Sequence, residues 1–215
     1  MWRGIGQLLQ RAWSAPGLAD VRARLDEVGD LAATISPRLP NAPTCGFFSE
    51  ALAAARTGPG AFLVPLLETS ALHWESYGAY APGTIGDIFP RRHAYASLVA
   101  GVDPEWARDF DLGFLLIAPD TLYRDHHHPA RELYLPLTGP SLWRFGVNAP
   151  WQEKSAGAIV WNEPDNVHAT LVQDVPLLCL YAWTENVLAP AMVDPAPDWS
   201  AIEGELAARP SNRSS

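Results

Sequence analysis

Asp125-His126-His127-His128-Pro129-Ala130-Arg131-Glu132-Leu133-Tyr134-Leu135-Pro136-Leu137-Thr138-Gly139 packs three imidazoles, a carboxylate and a phenol into one short stretch. If the segment is extended, alternate side chains share a face. His126 and His128 then point one way and His127 the other, while Glu132 and Tyr134 share a face of the next strand. Pro129-Ala130-Arg131 is the turn between them. Two imidazoles and a carboxylate form the ligand set of Zn, Fe, Mn and Ni sites that keep positions open for a substrate. His168, the sole histidine beyond residue 128, is the natural further ligand. His127 is expected not to bind metal, and Arg131 to be an exposed turn residue.

Around this stretch the hydrophobic pattern has the short period of strands: 112–117, 122–128, 132–137, 142–147, 158–161, 168–172 and 177–183, separated by Pro, Gly, Asn and Asp. Strands at this spacing make a sandwich or barrel, and inward-facing ligands place the metal inside it. The N-terminal half has a helical period instead. Leu18, Val21, Leu25, Val28, Leu31 and Ile35 mark an amphipathic helix ended by Pro37, Pro40 and Pro43. Residues 48–56 and 61–74 read as further helices, the second with Pro65 as an interruption, and 77–90 as a Gly/Pro-rich connecting loop whose Tyr77 and Tyr80 would suit a lid. The organisation expected is one structural domain: a helical region (1–109) packed on a mainly β core (110–194), then a frayed C-terminal tail (195–215).

A formal charge of −9 and a pI near 5.0 argue against nucleic-acid or anionic-membrane partners, which need basic patches. A cationic or zwitterionic small molecule would be tolerated. The apolar content of 48% against 18% charged residues is that of a folded chain. Cys45 and Cys179 read as free thiols. The N-terminal residues lack the apolar run of a signal peptide, and no stretch has the length of a membrane span, so a cytoplasmic location is expected. A monomer and a homodimer are equally open.

The spacing His126-x-His128-x3-Glu132-x6-Gly139 resembles the first motif of the cupin superfamily, and Gly157, Pro164 and His168 follow in the order of its second motif. That resemblance implies a double-stranded β-helix barrel holding a divalent metal on His126, His128, Glu132 and His168. The second motif departs from the pattern: the Pro is displaced by one, Asn166 stands where cupins have Gly, and Val172 replaces the trailing Asn.

Within the superfamily, His126-x-His128-Pro-Ala-x-Glu132-x-Tyr134, with Tyr123 upstream and Leu177-Leu-Cys-Leu-Tyr-Ala-Trp-Thr184 downstream, resembles the dimethylsulfoniopropionate lyases of the DddQ and DddL type. The likeness runs from about Tyr123 to Thr184; Glu185-Asn186 stand where those enzymes commonly have Gly-Asp. It implies a lyase that releases dimethyl sulfide and acrylate by β-elimination, with Zn, Fe or Mn as the metal. Tyr134, two residues from a ligand on the same face, would take the α-proton. The substrate is a zwitterion whose sulfonium end favours aromatic faces, worth about 0.5–2 kcal/mol per contact. Tyr123, Trp143, Trp161, Tyr181 and Trp183 are the candidates, with Tyr123 the best placed. The same ligand set would serve an iron dioxygenase, a sugar isomerase or a non-catalytic small-molecule-binding cupin, although no DNA-binding helix-turn-helix signature accompanies the barrel.

Overall fold

In a computed structural model of the chain, the residues described are 2–10, 17–31, 41–43, 45–78, 80–99 and 109–209. Among these residues ten strands form two five-stranded antiparallel sheets. The strands are β1 (His93–Ser97), β2 (Asp111–Ile117), β3 (Thr121–His127), β4 (Glu132–Pro136), β5 (Ser141–Phe145), β6 (Gln152–Lys154), β7 (Val160–Asn162), β8 (His168–Val172), β9 (Leu177–Trp183) and β10 (Met192–Val193). One sheet has the order β1-β2-β9-β4-β7 and the other β10-β3-β8-β5-β6. Consecutive strands alternate between the sheets through most of the chain, which is the cupin barrel implied by the two motifs.

The first sheet is buried on both faces, which is why its strands read as near-continuous apolar runs. Leu112, Phe114 and Leu116 of β2, Leu133 and Leu135 of β4, and Leu178, Leu180 and Ala182 of β9 face an outer layer of helices. That layer comprises α1 (Trp2–Gln10), α2 (Leu18–Leu31), α3 (Phe48–Ala55) and α4 (Val64–Thr69). These helices contribute Ile5, Leu8, Val21, Leu25, Ala51, Leu52, Ala55 and Leu67 to the shared core. Residues alternating with the outer set, Ile117, Tyr134, Cys179 and Tyr181 among them, face into the barrel beside Tyr123 and Trp143 of the other sheet.

Several expectations shift. The helix expected over 61–74 is a 3-10 turn (Ala61–Leu63) followed by α4, with Pro65 in the first turn, where a missing N–H costs nothing; Ser70 is already extended. Ile35, Pro37 and Pro40 lie outside the described residues. The expected connector at 77–90 ends in a single helical turn, α5 (Phe89–Arg92), and Tyr77, Tyr80, Ile85 and Phe89 pack over the barrel interior. β1 comes from the N-terminal region, 1–109, in which only helices and a loop are expected, and extends the first sheet. The tail does not fray throughout: Trp199–Ala208 form helix α6, whose Leu206, with Trp199 and Ile202, covers Leu122 and Leu171 on the outer face of the second sheet. Residues 210–215 lie outside the described part. Cys45 and Cys179 are both free, as expected, and both are buried. Among the described residues no helix is long and apolar enough to cross a membrane.

Candidate metal centre and cavity

Strand pairing assembles the predicted ligands. His126 on β3 lies directly opposite His168 on β8. His128 follows the end of β3, and Glu132 opens β4, where it pairs with Trp183 of β9 on one side and Asn162 of β7 on the other. The side chains of all four predicted ligands are almost completely buried. Ligand atoms of the three histidines lie within 4.8 Å of one another.

Each imidazole is oriented by a main-chain carbonyl two residues away. Nδ1 of His126 donates to Arg124 (2.8 Å), that of His128 to Ala130 (2.9 Å) and that of His168 to Asn166 (2.9 Å). With the proton fixed on Nδ1, every Nε2 turns a lone pair toward the same point, which is how ligating histidines are set up. Nε2 of His126 and of His168 is buried without a hydrogen-bond partner, although Glu132 Oε2 is only 3.2 Å from the latter. Nε2 of His128 is 3.0 Å from the same oxygen. Because His128 Nδ1 already donates to a carbonyl, that contact requires a second proton on the ring or a cation between the groups. One divalent cation satisfies all four atoms, so the residues fit a metal.

The buried carboxylate and the imidazoles shift one another. Burial pushes the His126 imidazole well below its usual range, and the neighbouring His168 and His128 add to this, leaving a neutral ring. Burial acts to lower His128 too, but the charge of Glu132 and its hydrogen bond outweigh that and raise it. For Glu132, burial opposes ionisation, while the interactions with His128 and His168 prevail and hold the carboxyl well below the carboxylate range. Glu132 is further fixed by Trp183 Nε1, donating to Oε1 at 2.7 Å, and by Asn162 Nδ2, donating to Oε2 at 3.2 Å.

Beside the ligands lies a cavity of about 200 Å³ lined by Tyr123, Glu132, Tyr134, Tyr181 and Trp183, with Tyr77, Phe89, His93, Tyr95, Asp111, Leu115 and Val187. Its described lining holds two carboxylates and no Lys or Arg. Tyr134 faces Tyr181 across β4 and β9. Its phenol is raised well above its ordinary value, first by burial and then by the charge of Glu132. Of the five aromatic candidates, Tyr123, Tyr181 and Trp183 line this cavity. Trp143 is fully buried behind Tyr134, with ring centroids 5.1 Å apart, and Trp161, opposite Leu133, lies on the helix-covered side of β7. His127 points away from the cluster to Asp194 Oδ2 at 2.5 Å, and Arg131 is a half-exposed turn residue near Glu163 and Glu185.

Sequence reasoning did not find Asp111, His93, Tyr95 or Asn162. Asp111 accepts hydrogen bonds from Ser97 Oγ (2.6 Å) and Tyr181 (3.2 Å). Tyr181 reaches it over Gly113, where a Cβ would stand 2.3 Å from the Ala96 carbonyl oxygen and 2.9 Å from the Tyr181 ring. His93 donates from Nδ1 to Phe89 O (2.7 Å) and accepts the Tyr77 amide on Nε2 (2.9 Å), so both its nitrogens are committed to structure.

A model of the dimethylsulfoniopropionate lyase family matches residues 19–179. A protein of Cereibacter sphaeroides provisionally named dimethylsulfoniopropionate lyase DddL is 30% identical over 142 residues, covering 61% of this chain and 55% of its own length. The chain thus spans about half the length of that curated relative. Among solved structures, the dimethylsulfoniopropionate lyase DddQ of Ruegeria pomeroyi superposes with a TM-score of 0.54 at 18% identity, covering 81% of this chain and 96% of that one. A chain from the crystal structures of the lyases RdDddP and RnDddQII gives 0.57 at 18%, covering 82% and 98%. At these identities the structural likeness speaks to the fold.

Proposed function

Since the chain belongs to the dimethylsulfoniopropionate lyase family, we propose that it is a metal-dependent carbon–sulfur lyase that cleaves dimethylsulfoniopropionate to dimethyl sulfide and acrylate. The observation that carries this reading is the convergence of three buried imidazole Nε2 atoms and the Glu132 carboxylate beside a cavity into which Tyr134 projects. His126, His128, Glu132 and His168 would hold the ion. When bound, a divalent Zn, Fe or Mn ion supplies Lewis acidity that polarises the substrate carboxylate and favours the Tyr134 phenolate.

The residues of the chain do the rest. Tyr134 Oη takes the proton α to the carboxylate; the C–H pair becomes the Cα=Cβ bond, and the Cβ–S bond breaks with its pair leaving on sulfur. Without a compensating positive charge, burial and Glu132 keep Tyr134 a neutral phenol, so its role as base depends on a loaded site. Tyr181 and Trp183 are the lining rings that meet the sulfonium; Tyr123 also lines the cavity but is stacked between Phe89 and His126, centroids 3.9 and 4.0 Å away, and has no free face, while Trp143 buttresses Tyr134 from behind. A cavity of about 200 Å³ is below the 300–1,000 Å³ typical of drug-sized ligands. That suits the free acid rather than a coenzyme A thioester. The test is release of dimethyl sulfide from the purified protein, metal-free and with each metal restored.

A further inference from the structure

Tyr123 and His126 are three residues apart on one strand, a spacing that regular alternation sends to opposite faces. They nevertheless stack ring on ring, 4.0 Å between centroids, because β3 carries one extra residue there: Tyr123 pairs with Thr170 and His126 with His168. Such a bulge interrupts the ladder and re-aims the side chains that follow it. The intervening Arg124 and Asp125 turn their side chains to the outer face, and helix α6 holds both.

Arg124 makes a two-pronged ion pair with Glu203 at 2.9 Å per contact, stacks over the Trp199 ring at 4.7 Å and donates to the Thr84 carbonyl of the segment that bears Tyr80. Tyr80 in turn meets the Tyr123 hydroxyl at 2.5 Å. Asp125, fully buried, is gripped by the equally buried Arg144, which also binds Asp198 at the start of α6, and by Trp199 Nε1 at 2.7 Å.

We propose that α6 is a positioning element of the metal centre: through Arg124 and Asp125 it fixes the bulge, and the bulge sets where His126 Nε2 stands. The inference rests on the metal-site reading above. Asp198, Trp199 and Glu203 are positioning residues that touch neither ion nor substrate.

Cobalt(II) binding to the full chain tests this, read by visible absorption and by competition with a chromophoric chelator. The double variant Asp198→Ala/Glu203→Ala is expected to weaken cobalt affinity about tenfold and to shift the absorption bands. Leu116→Val, in the core of the other sheet, lowers the melting temperature yet leaves affinity and spectrum at wild type. If the double variant does not fold, Trp199→Phe, which removes one hydrogen bond to Asp125, is expected to move both readouts in the same direction by a smaller amount. Wild-type affinity and spectrum in a folded α6 variant overturn the proposal. A wild-type chain that takes up no cobalt overturns the metal-site reading, and this inference with it.

Discussion

Trp183 and Glu132 face each other across β9 and β4, and the indole N–H binds Glu132 Oε1 at 2.7 Å while the indole ring packs 4.4 Å from His128. One aromatic residue thereby orients the Glu132 carboxylate, packs against His128 and closes one wall of the cavity. Replacing it with Phe keeps the wall and removes the hydrogen bond. Trp183→Phe should weaken metal affinity by about 10–100-fold with little change in fold, as is usual when a group that orients a ligand is lost. Competition with a chelating dye measures this.

Tyr134→Phe separates a base from a wall. Loss of a positioned general base lowers turnover by about 10²–10⁴-fold. We expect that loss with metal content and melting temperature unchanged, because the ring still packs against Trp143. Near-normal turnover in a metal-loaded variant would remove Tyr134 from the mechanism.

The geometry of Gly113 predicts a local effect. A Cβ there meets the β1 backbone and the Tyr181 ring, so Gly113→Ala should cost about 1–3 kcal/mol by overpacking. Because the Tyr181 ring is pushed along with β1, substrate KM should rise as well. Denaturant titration and steady-state kinetics read the two effects separately.

Buried His93 sets a pH dependence away from the ligands. Burial lowers its folded-state value below the ordinary 6.5, outweighing the bond to the Phe89 carbonyl. The unfolded chain therefore takes up a proton near 6.5 before the folded chain does. This contribution to stability is complete above that pH, and is lost as pH falls from there toward the folded value, by at most about 1.4 kcal/mol per pH unit. Denaturant unfolding of metal-free protein at about pH 7.5 and about pH 5.5 should show a smaller loss in His93→Gln than in wild type.

Much of the candidate site was legible because its residues sit on a regular pattern. His126 and His128 share a face by alternation, Glu132 and Tyr134 do so on the next strand, and the strand periodicity of the apolar runs pointed to a sandwich or barrel. The rest depends on register. Trp161 and Tyr181 are both strand aromatics, but Trp161 pairs with the helix-facing Leu133 and Tyr181 with the inward Tyr134. Nothing in the residues announces the bulge that brings His126 onto the same face as Tyr123. β1 is short and Ala-rich, so its pattern is weak, and its membership of the sheet comes from pairing with β2. α6 follows Pro195 and Pro197 and contains Gly204; its stability comes from docking on Arg124 and Arg144, which are more than 50 residues away in sequence.

The central claim is tested most directly by headspace detection of dimethyl sulfide from purified protein supplied with dimethylsulfoniopropionate, before and after restoring Zn, Mn or Fe(II) to chelator-treated samples. The account predicts release that disappears with the metal and returns with at least one of the ions. Folded protein with metal bound that releases no dimethyl sulfide would contradict it.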